Sequence, residues 1–546
     1  MIRNLFIVLV LSSGVLHGQV RGRSPAPFPK LFSLSRTTVA DSTQAGLQSN
    51  VIVEIRTQGD TLVWLGTGQG LSVLRDSLTA RTFLSSQELK GGENVTKLPE
   101  GGVSAIGVAN DDTLIVAVAT TTEDPTSGED VQTGAGLALS VNSQDTTAVN
   151  WRYFSQPVDS SGDSTLIWGG VSLEALPVTV PQQNVTYDIA IGNEYFWIAS
   201  WAGGLRRLDR SDVSSGWERV PLPQDAQTDL ACGEQVSDYE LNPRDPPDGN
   251  HNHKGFSVLV YGDTVWVGTA GGINRGILDE SGCVDWIHYS YPLSGITGNW
   301  VVALARQQWK GVRKIWAVTL RADEPGEDHG VSYTPDDGLT WYPVSALRDR
   351  RGYNIYTVDS LVYVATEDGL WKSEDGVTFA LFRPAVDAVN NDEILDNDVY
   401  AVVHDVRDFW QGPDSLGALF IGTGDGLARS PDPGTDEPVW EIYRTHVSSN
   451  QPYAYPNPFS PSVYNIVDGD GHVRFFYRGK RPRMELRIYN FAMEKVRSID
   501  YETGGGQGTL KWDGRDEQGG LVANGTYFCN LFYDDQSHWI KLIVLK

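Results

Sequence analysis

One short pattern recurs seven times in the first 445 residues of this 546-residue chain. An apolar, aromatic-bearing strand ends in a small residue and Thr or Ser, usually followed soon by Gly and a second strand. The copies read LVWLGTGQGL (Leu62–Leu71), LIVAVAT (Leu114–Thr120), FWIASWAGGL (Phe196–Leu205), VWVGTAGGI (Val265–Ile273), IWAVT (Ile315–Thr319), VYVATEDGL (Val362–Leu370) and LFIGTGDGL (Leu419–Leu427). Such a unit cannot bury its apolar side chains alone, so its neighbours must stack on it. A repeat of about 50 residues made of short strands therefore predicts a β-propeller.

The sixth copy sets the frame. Tyr353–Val358 reads as strand A, Leu361–Thr366 as B, Gly369–Ser373 as the start of C and Thr378–Phe382 as D. Asp359-Ser360, Glu367-Asp368 and Glu374–Gly376 supply the turn chemistry between them. Extended to every copy, the frame predicts a seven-bladed propeller over residues 50–445, with a lead-in at 19–49 in which Lys30–Thr38 can add a closing strand.

In an A-B-C-D meander the B–C and D–A loops share one face. The long insertions Thr121–Gly134, Ser155–Asn184, Pro221–Gly255, Leu320–His329 and Pro384–Asn397 all fall on that face; Asp405–Ala418 falls on the other. Long loops gathered on one rim of a rigid scaffold point to binding. The rim is acidic, with Asp323 and Asp328 among its candidate contact residues. Trp201 and Trp300 fall there too, placed either to stack on sugar rings or to pack between loops. The favoured ligand is an extracellular protein or a glycan. The alternative is a carbohydrate-active hydrolase or lyase using carboxylates of the same rim, although no carboxylate pair stands out.

The N-terminus reads as a secretory signal: Arg3, then apolar Leu5–Val15, with cleavage after Gly18. No other stretch is long and apolar enough for a membrane-spanning helix. Residues 451–546 hold 12 Lys and Arg against 11 Asp and Glu, so the net charge of −26 resides in the first 450 residues. That field repels nucleic acid and excludes it as a partner. Of three cysteines, Cys529 alternates as a core residue, and spacing alone leaves the pairing of Cys232 with Cys283 open. No cofactor motif is present. Asp468 and Asp470 are the best calcium candidates, and a hairpin turn explains them as well. His251 and His253 have no defensible metal-ligand spacing and read as a polar loop.

Thr334-Pro-Asp336-Asp-Gly338-Leu-Thr-Trp341 fits the pattern S/T-x-D-x-G-x-T-W. Ser373-Glu-Asp375-Gly is a copy one residue shorter, and Ser430-Pro-Asp432-Pro-Gly434 is a looser third. This resembles the Asp-box of sialidase and BNR-type propellers. The resemblance implies a structural role: Asp accepts backbone N–H bonds in the C–D hairpin and Trp packs between blades. The GT…GL core is similar to the propellers of two-component-type sensor ectodomains.

The composition changes at Tyr455-Pro456-Asn457-Pro458-Phe459, after a linker at 446–455. Six alternating segments follow, from Val473–Arg478 to Trp539–Lys546, and predict a small β-sandwich over 456–546. With Trp512-Asp513-Gly514 and Asn524-Gly525-Thr526-Tyr527, this segment resembles the Ig-like domain of the flagellar hook-capping protein and the C-terminal sorting domain of type IX secretion. The resemblance implies recognition by secretion machinery and delivery through the periplasm to the outer cell surface or the medium.

Overall fold

The computed structural model describes residues 47 and 49–546, apart from 75–80, 84, 87–93, 96, 110, 124–127, 129, 147–148, 323, 383–385, 388–391, 408–416, 432–438, 446–450, 464, 467–468, 478–482 and 503–509. The signal segment and Lys30–Thr38 lie outside the described residues. The chain is all-β: a propeller followed by an Ig-like sandwich.

Among the described residues seven antiparallel meanders follow one another, spanning Ile52–Phe83, Gly102–Phe154, Thr186–Val220, Gly255–Tyr289, Trp300–Pro343, Gly352–Phe382 and Val399–Tyr443. Their first strands meet in cyclic order around an axis, and Ile52–Gln58 returns to Val399–Asp405. Two meanders gain a fifth outer strand, Asn94–Val95 and Asp229–Leu230.

The repeat pattern has a physical reading. In six copies the residue three before the Thr or Ser is aromatic: Trp64, Trp197, Trp266, Trp316, Tyr363 and Phe420, none more than 1% exposed. Each is buried within a blade flank and contributes roughly 2–3 kcal/mol. The Thr hydroxyl closes the B–C turn. Thr67, Thr269, Thr366 and Thr423 donate from Oγ1 to the carbonyls of Gly70, Gly272, Gly369 and Gly426 at 2.8–3.0 Å. Those glycines have φ between 73° and 136°, a region that L side chains avoid.

The ring closes through side chains. Asn50 Nδ2 donates to the Thr445 carbonyl at 2.9 Å, and Thr445 N donates to Asn50 Oδ1 at 2.7 Å. Arg407 is paired with Asp405 at 2.6 Å and donates to the carbonyls of Gln58, Gly59 and Leu62 in the first blade.

The sandwich packs a three-stranded sheet (Tyr453–Tyr455, Val473–Phe476, Leu510–Trp512) against a four-stranded one (Lys495–Glu502, Arg483–Tyr489, Gly525–Tyr533, Gln536–Val544). Tyr453–Tyr455, read from sequence as the end of a linker, pairs with Val473–Phe476 and belongs to the domain. Phe459, Trp512, Leu486, Leu531 and Leu542 fill the core with Cys529, which is free and buried.

The sandwich docks on the propeller through charge. Arg474 reaches Asp425 at 2.6 Å and Asp392 at 3.2 Å, while Arg444 of the propeller holds the same two carboxylates at 3.2 and 2.7 Å. Lys511 pairs with Glu393 at 2.7 Å, and Asn397 N donates to the Ile466 carbonyl. Both guanidinium groups are largely buried, so removing one leaves carboxylates desolvated and underpaired, at a cost of about 3–5 kcal/mol. Arg474→Ala is therefore expected to separate an early unfolding transition of the sandwich from that of the propeller in calorimetry. A thermogram matching the wild type would contradict the coupling.

Candidate binding face and central channel

All seven innermost strands carry a β-bulge at the same place, one or two residues after the strand begins. The bulged residues are Val53, Ser104, Tyr187, Phe256, Val302, Tyr353 and Tyr400. A bulge re-aims its side chain. Val53, Tyr187, Phe256, Val302 and Tyr400 pack in one cluster with Trp201 and Trp300, and the Tyr353 and Tyr400 rings lie 5.2 Å apart. These side chains plug the channel where the inner strands start, which is the face that carries the long insertions.

Below the plug lies a cavity of about 390 Å³. Its walls grade from buried Tyr187 and Tyr353 to half-buried Val108, Ile191, Val260 and Arg306, so it opens toward the A–B loops. Arg56 is its central charge, 2.6 Å from Glu54 and 3.7 Å from Asp188. Asp188 also accepts from the backbone N–H of Ile189 and, across the blade boundary, of Val258.

Trp300 is 9% exposed, and its ring packs against Trp201 at 5.8 Å and Phe256 at 5.8 Å. Trp201 is half-buried, with Lys254 Nζ 4.7 Å over its face. Of the two sequence alternatives, this is the packing one; Trp300 offers little open ring to a sugar. Asp328 pairs with Arg348 at 2.6 Å and Arg321 at 3.5 Å, bracing its loop. Asp323 lies outside the described residues.

Acidic groups order the insertions, and two of them, Asp225 and Asp159, were missed by the sequence reading. Glu327 accepts from the N–H groups of Asn299 and Ala322 at 2.9 and 2.6 Å; burial holds its carboxyl above the usual range. Asp225 accepts from His251 and Asn252 at 2.9 and 2.6 Å. Asp159 ties its insertion to Arg206 at 2.7 Å. His253 is buried, with its ring nitrogens against Asn242 and the Leu222 carbonyl. A Cys232–Cys283 disulfide fastens the Pro221–Gly255 insertion to the fourth meander. Among the described residues no group of three His, Cys, Asp or Glu is placed to hold a metal.

The hairpin motifs serve the fold. Thr334 Oγ1 donates to Asp336 and accepts from Gly338 N, both at 2.8 Å, and Asp336 accepts from Thr340 N at 2.9 Å. Ser373 and Asp375 repeat this around Gly376 and Thr378, and the N–H bonds hold the Asp375 carboxyl far below its usual range. Trp341 packs on Trp266 and Tyr289 of the preceding blade. Ser430 is buried; Asp432 and Gly434 lie outside the described residues.

The C-terminal motif residues are likewise structural. Asn457 donates to the Lys541 carbonyl and accepts from Ile543 N, so its amide imitates a strand between Pro456 and Pro458, which cannot donate. Tyr455 is 62% exposed. Trp512 Nε1 donates to the Arg515 carbonyl, Asp513 accepts from Arg515 N, and Gly514 turns at φ 73°. Asn524 accepts from Lys546 N, Gly525 opens the next strand, and Tyr527 donates to the Ala523 carbonyl. Asp470, one calcium candidate, pairs with Arg515; Asp468 lies outside the described residues.

Asp396 and Asp398 are half-buried carboxylates beside the plug. Asp398 accepts from the hydroxyls of Tyr353 and Tyr400, each at 3.2 Å. Burial pushes Asp398 up to about 6 and Asp396 well above the usual range.

Residues 462–536 match the FlgD Ig-like domain family. No curated protein matches the chain. Solved structures similar to it include PorZ, an essential bacterial surface component of the type-IX secretion system of Porphyromonas gingivalis (14% identity, 92% of this chain and 82% of that one, TM-score 0.26). Another is the extracellular domain of the hybrid two component system BT4673 from B. thetaiotaomicron (11%, 92% and 81%, TM-score 0.24). A third is BamB from Moraxella catarrhalis (13%, 70% and 85%, TM-score 0.30).

Because folding raises the Asp398 pKa, the native state favours the protonated carboxyl. This contribution is fully present below the unfolded value of 3.8 and is lost as pH rises through about 6. The difference amounts to about 3 kcal/mol at neutral pH. Asp398→Asn is expected to melt progressively higher than the wild type as pH rises from 4 to 7, read by thermal denaturation. A pH-independent gap would contradict this.

Proposed function

We propose that this protein is an exported, cell-surface β-propeller that binds a protein or glycan through its insertion-bearing face. Its Ig-like domain acts as a type IX sorting or anchoring module. The observation carrying the binding reading is the gathering of five long insertions on one face, three of which are braced by carboxylates and a disulfide, over a plugged channel. Preorganised loops lose little entropy on binding. The disulfide favours an oxidising compartment, in keeping with export. The family match at residues 462–536 supports the sorting resemblance. The hydrolase reading has less behind it, because Asp398 at the mouth is engaged by the hydroxyls of Tyr353 and Tyr400.

Fractionation of cells expressing the intact chain and one ending near Asn450, with mass spectrometry of the mature termini, tests the export reading. Only the intact chain is expected outside the outer membrane. Equal export of the shortened chain would overturn the sorting role and make the Ig-like domain part of the working protein.

A further inference from the structure

The outer face of the three-stranded sheet is occupied: Arg474 and Lys511 extend from it to the propeller. The outer face of the four-stranded sheet, on the opposite side of the sandwich, is open and aromatic. Trp539 is 55% exposed and Phe532 36%; at the hairpin tip beside them Phe491 is 77% and Met493 52% exposed. Exposed rings contiguous over three strands are uncommon on a monomer and mark an interface.

Strand register orders this face into three rows. The first is Lys495, Tyr489, Phe528, Lys541. The second is Ser498, Arg487, Asn530, Trp539. The third is Asp500, Glu485, Phe532, Ser537. One end is basic and the other acidic, with an aromatic residue in each row. At the centre sits Asn530, only 4% exposed beneath the flanking side chains.

We propose that this face is an isologous homodimer interface, its occupant a second copy of the same sheet. A two-fold axis lying between the two sheets and running across the strands, along the middle row, reverses strand direction. It keeps like strands opposed. Row one then faces row three, so Lys495 meets Asp500 and Phe528 meets Phe532. The middle row faces itself, bringing Trp539 onto Trp539 and Arg487 onto Arg487, each guanidinium already paired with Glu485 of its own sheet at 2.5 Å. A two-fold axis along the strands instead sets Lys495 against Lys541, and like charges disfavour it.

Four strands about 4.8 Å apart and three rows about 7 Å apart cover roughly 400 Å² per copy, about half the area of a standard stable interface. The dimer is therefore weak and suited to chains crowded on a surface.

Sedimentation velocity of the full chain from about 1 to about 200 μM tests this. A concentration-dependent monomer–dimer equilibrium is expected, weakened about tenfold or more by Trp539→Glu. Lys495→Asp and Asp500→Lys are each expected to weaken it several-fold. The chain carrying both is expected to recover, because the exchange restores complementarity across the axis. These positions are at the surface, and unchanged melting temperatures will show that the variants fold. A chain that stays monomeric, or a dimer indifferent to Trp539→Glu, overturns the proposal. So does failure of the double charge exchange to recover.

Discussion

The recurrent bulge in the innermost strands governs what the propeller can do. One extra residue per strand, opposed by no partner, turns a side chain that would face a neighbouring blade into the mouth of the channel. Three positions hold Tyr and one holds Phe, and with Trp201 and Trp300 they seal the ring beneath the insertions. The insertions thus rest on a solid floor instead of a solvent-filled hole. The channel keeps its polar content, Glu54, Arg56 and Asp188, for the opposite face.

The acidity of the chain has a similarly local explanation. Asp225, Glu327, Asp336 and Asp375 each accept two or more hydrogen bonds, mostly from backbone N–H groups of turns and insertions. A carboxylate satisfies several donors at once, and charge-assisted bonds are stronger than neutral ones. Loops too irregular to pair with strands need such acceptors. On the rim, Asp225 and Glu327 are thus engaged in shaping the insertions, while Asp336 and Asp375 shape hairpins of the opposite face.

The parts of this molecule that sequence made legible are those governed by local periodicity. Strand B of each repeat, its closing Thr and the following Gly are set by contacts within a few residues, so the meanders could be read directly. The C–D hairpins around Asp336 and Asp375 were legible for the same reason. The plug was not, because a bulge leaves no compositional mark; Tyr353 and Tyr400 look like ordinary strand residues. Nor was the interdomain clasp, since Arg474 and Asp392 are 82 residues apart. Trp300 illustrates the limit most clearly. Its place on the rim followed from topology, but whether its ring lay open depended on Phe256 and Trp201, which arrive from other blades.

The seam joining the first and last blades spans 395 positions of sequence at Asn50 and Thr445. Among the described residues no strand crosses it, and every meander is continuous in sequence. Side-chain contacts at this seam, Asn50 with Thr445 and Arg407 with the first blade, close the ring against the entropy of a very long loop. Until then the apolar flanks of Ile52, Val63, Val403 and Phe420 face water on an incomplete crescent. The same seam is where the ring should breathe first, because adjacent blades elsewhere are tethered by a covalent connection and these two are not. The circular molecule thus has a front door, fixed by where the chain happens to enter and leave the ring.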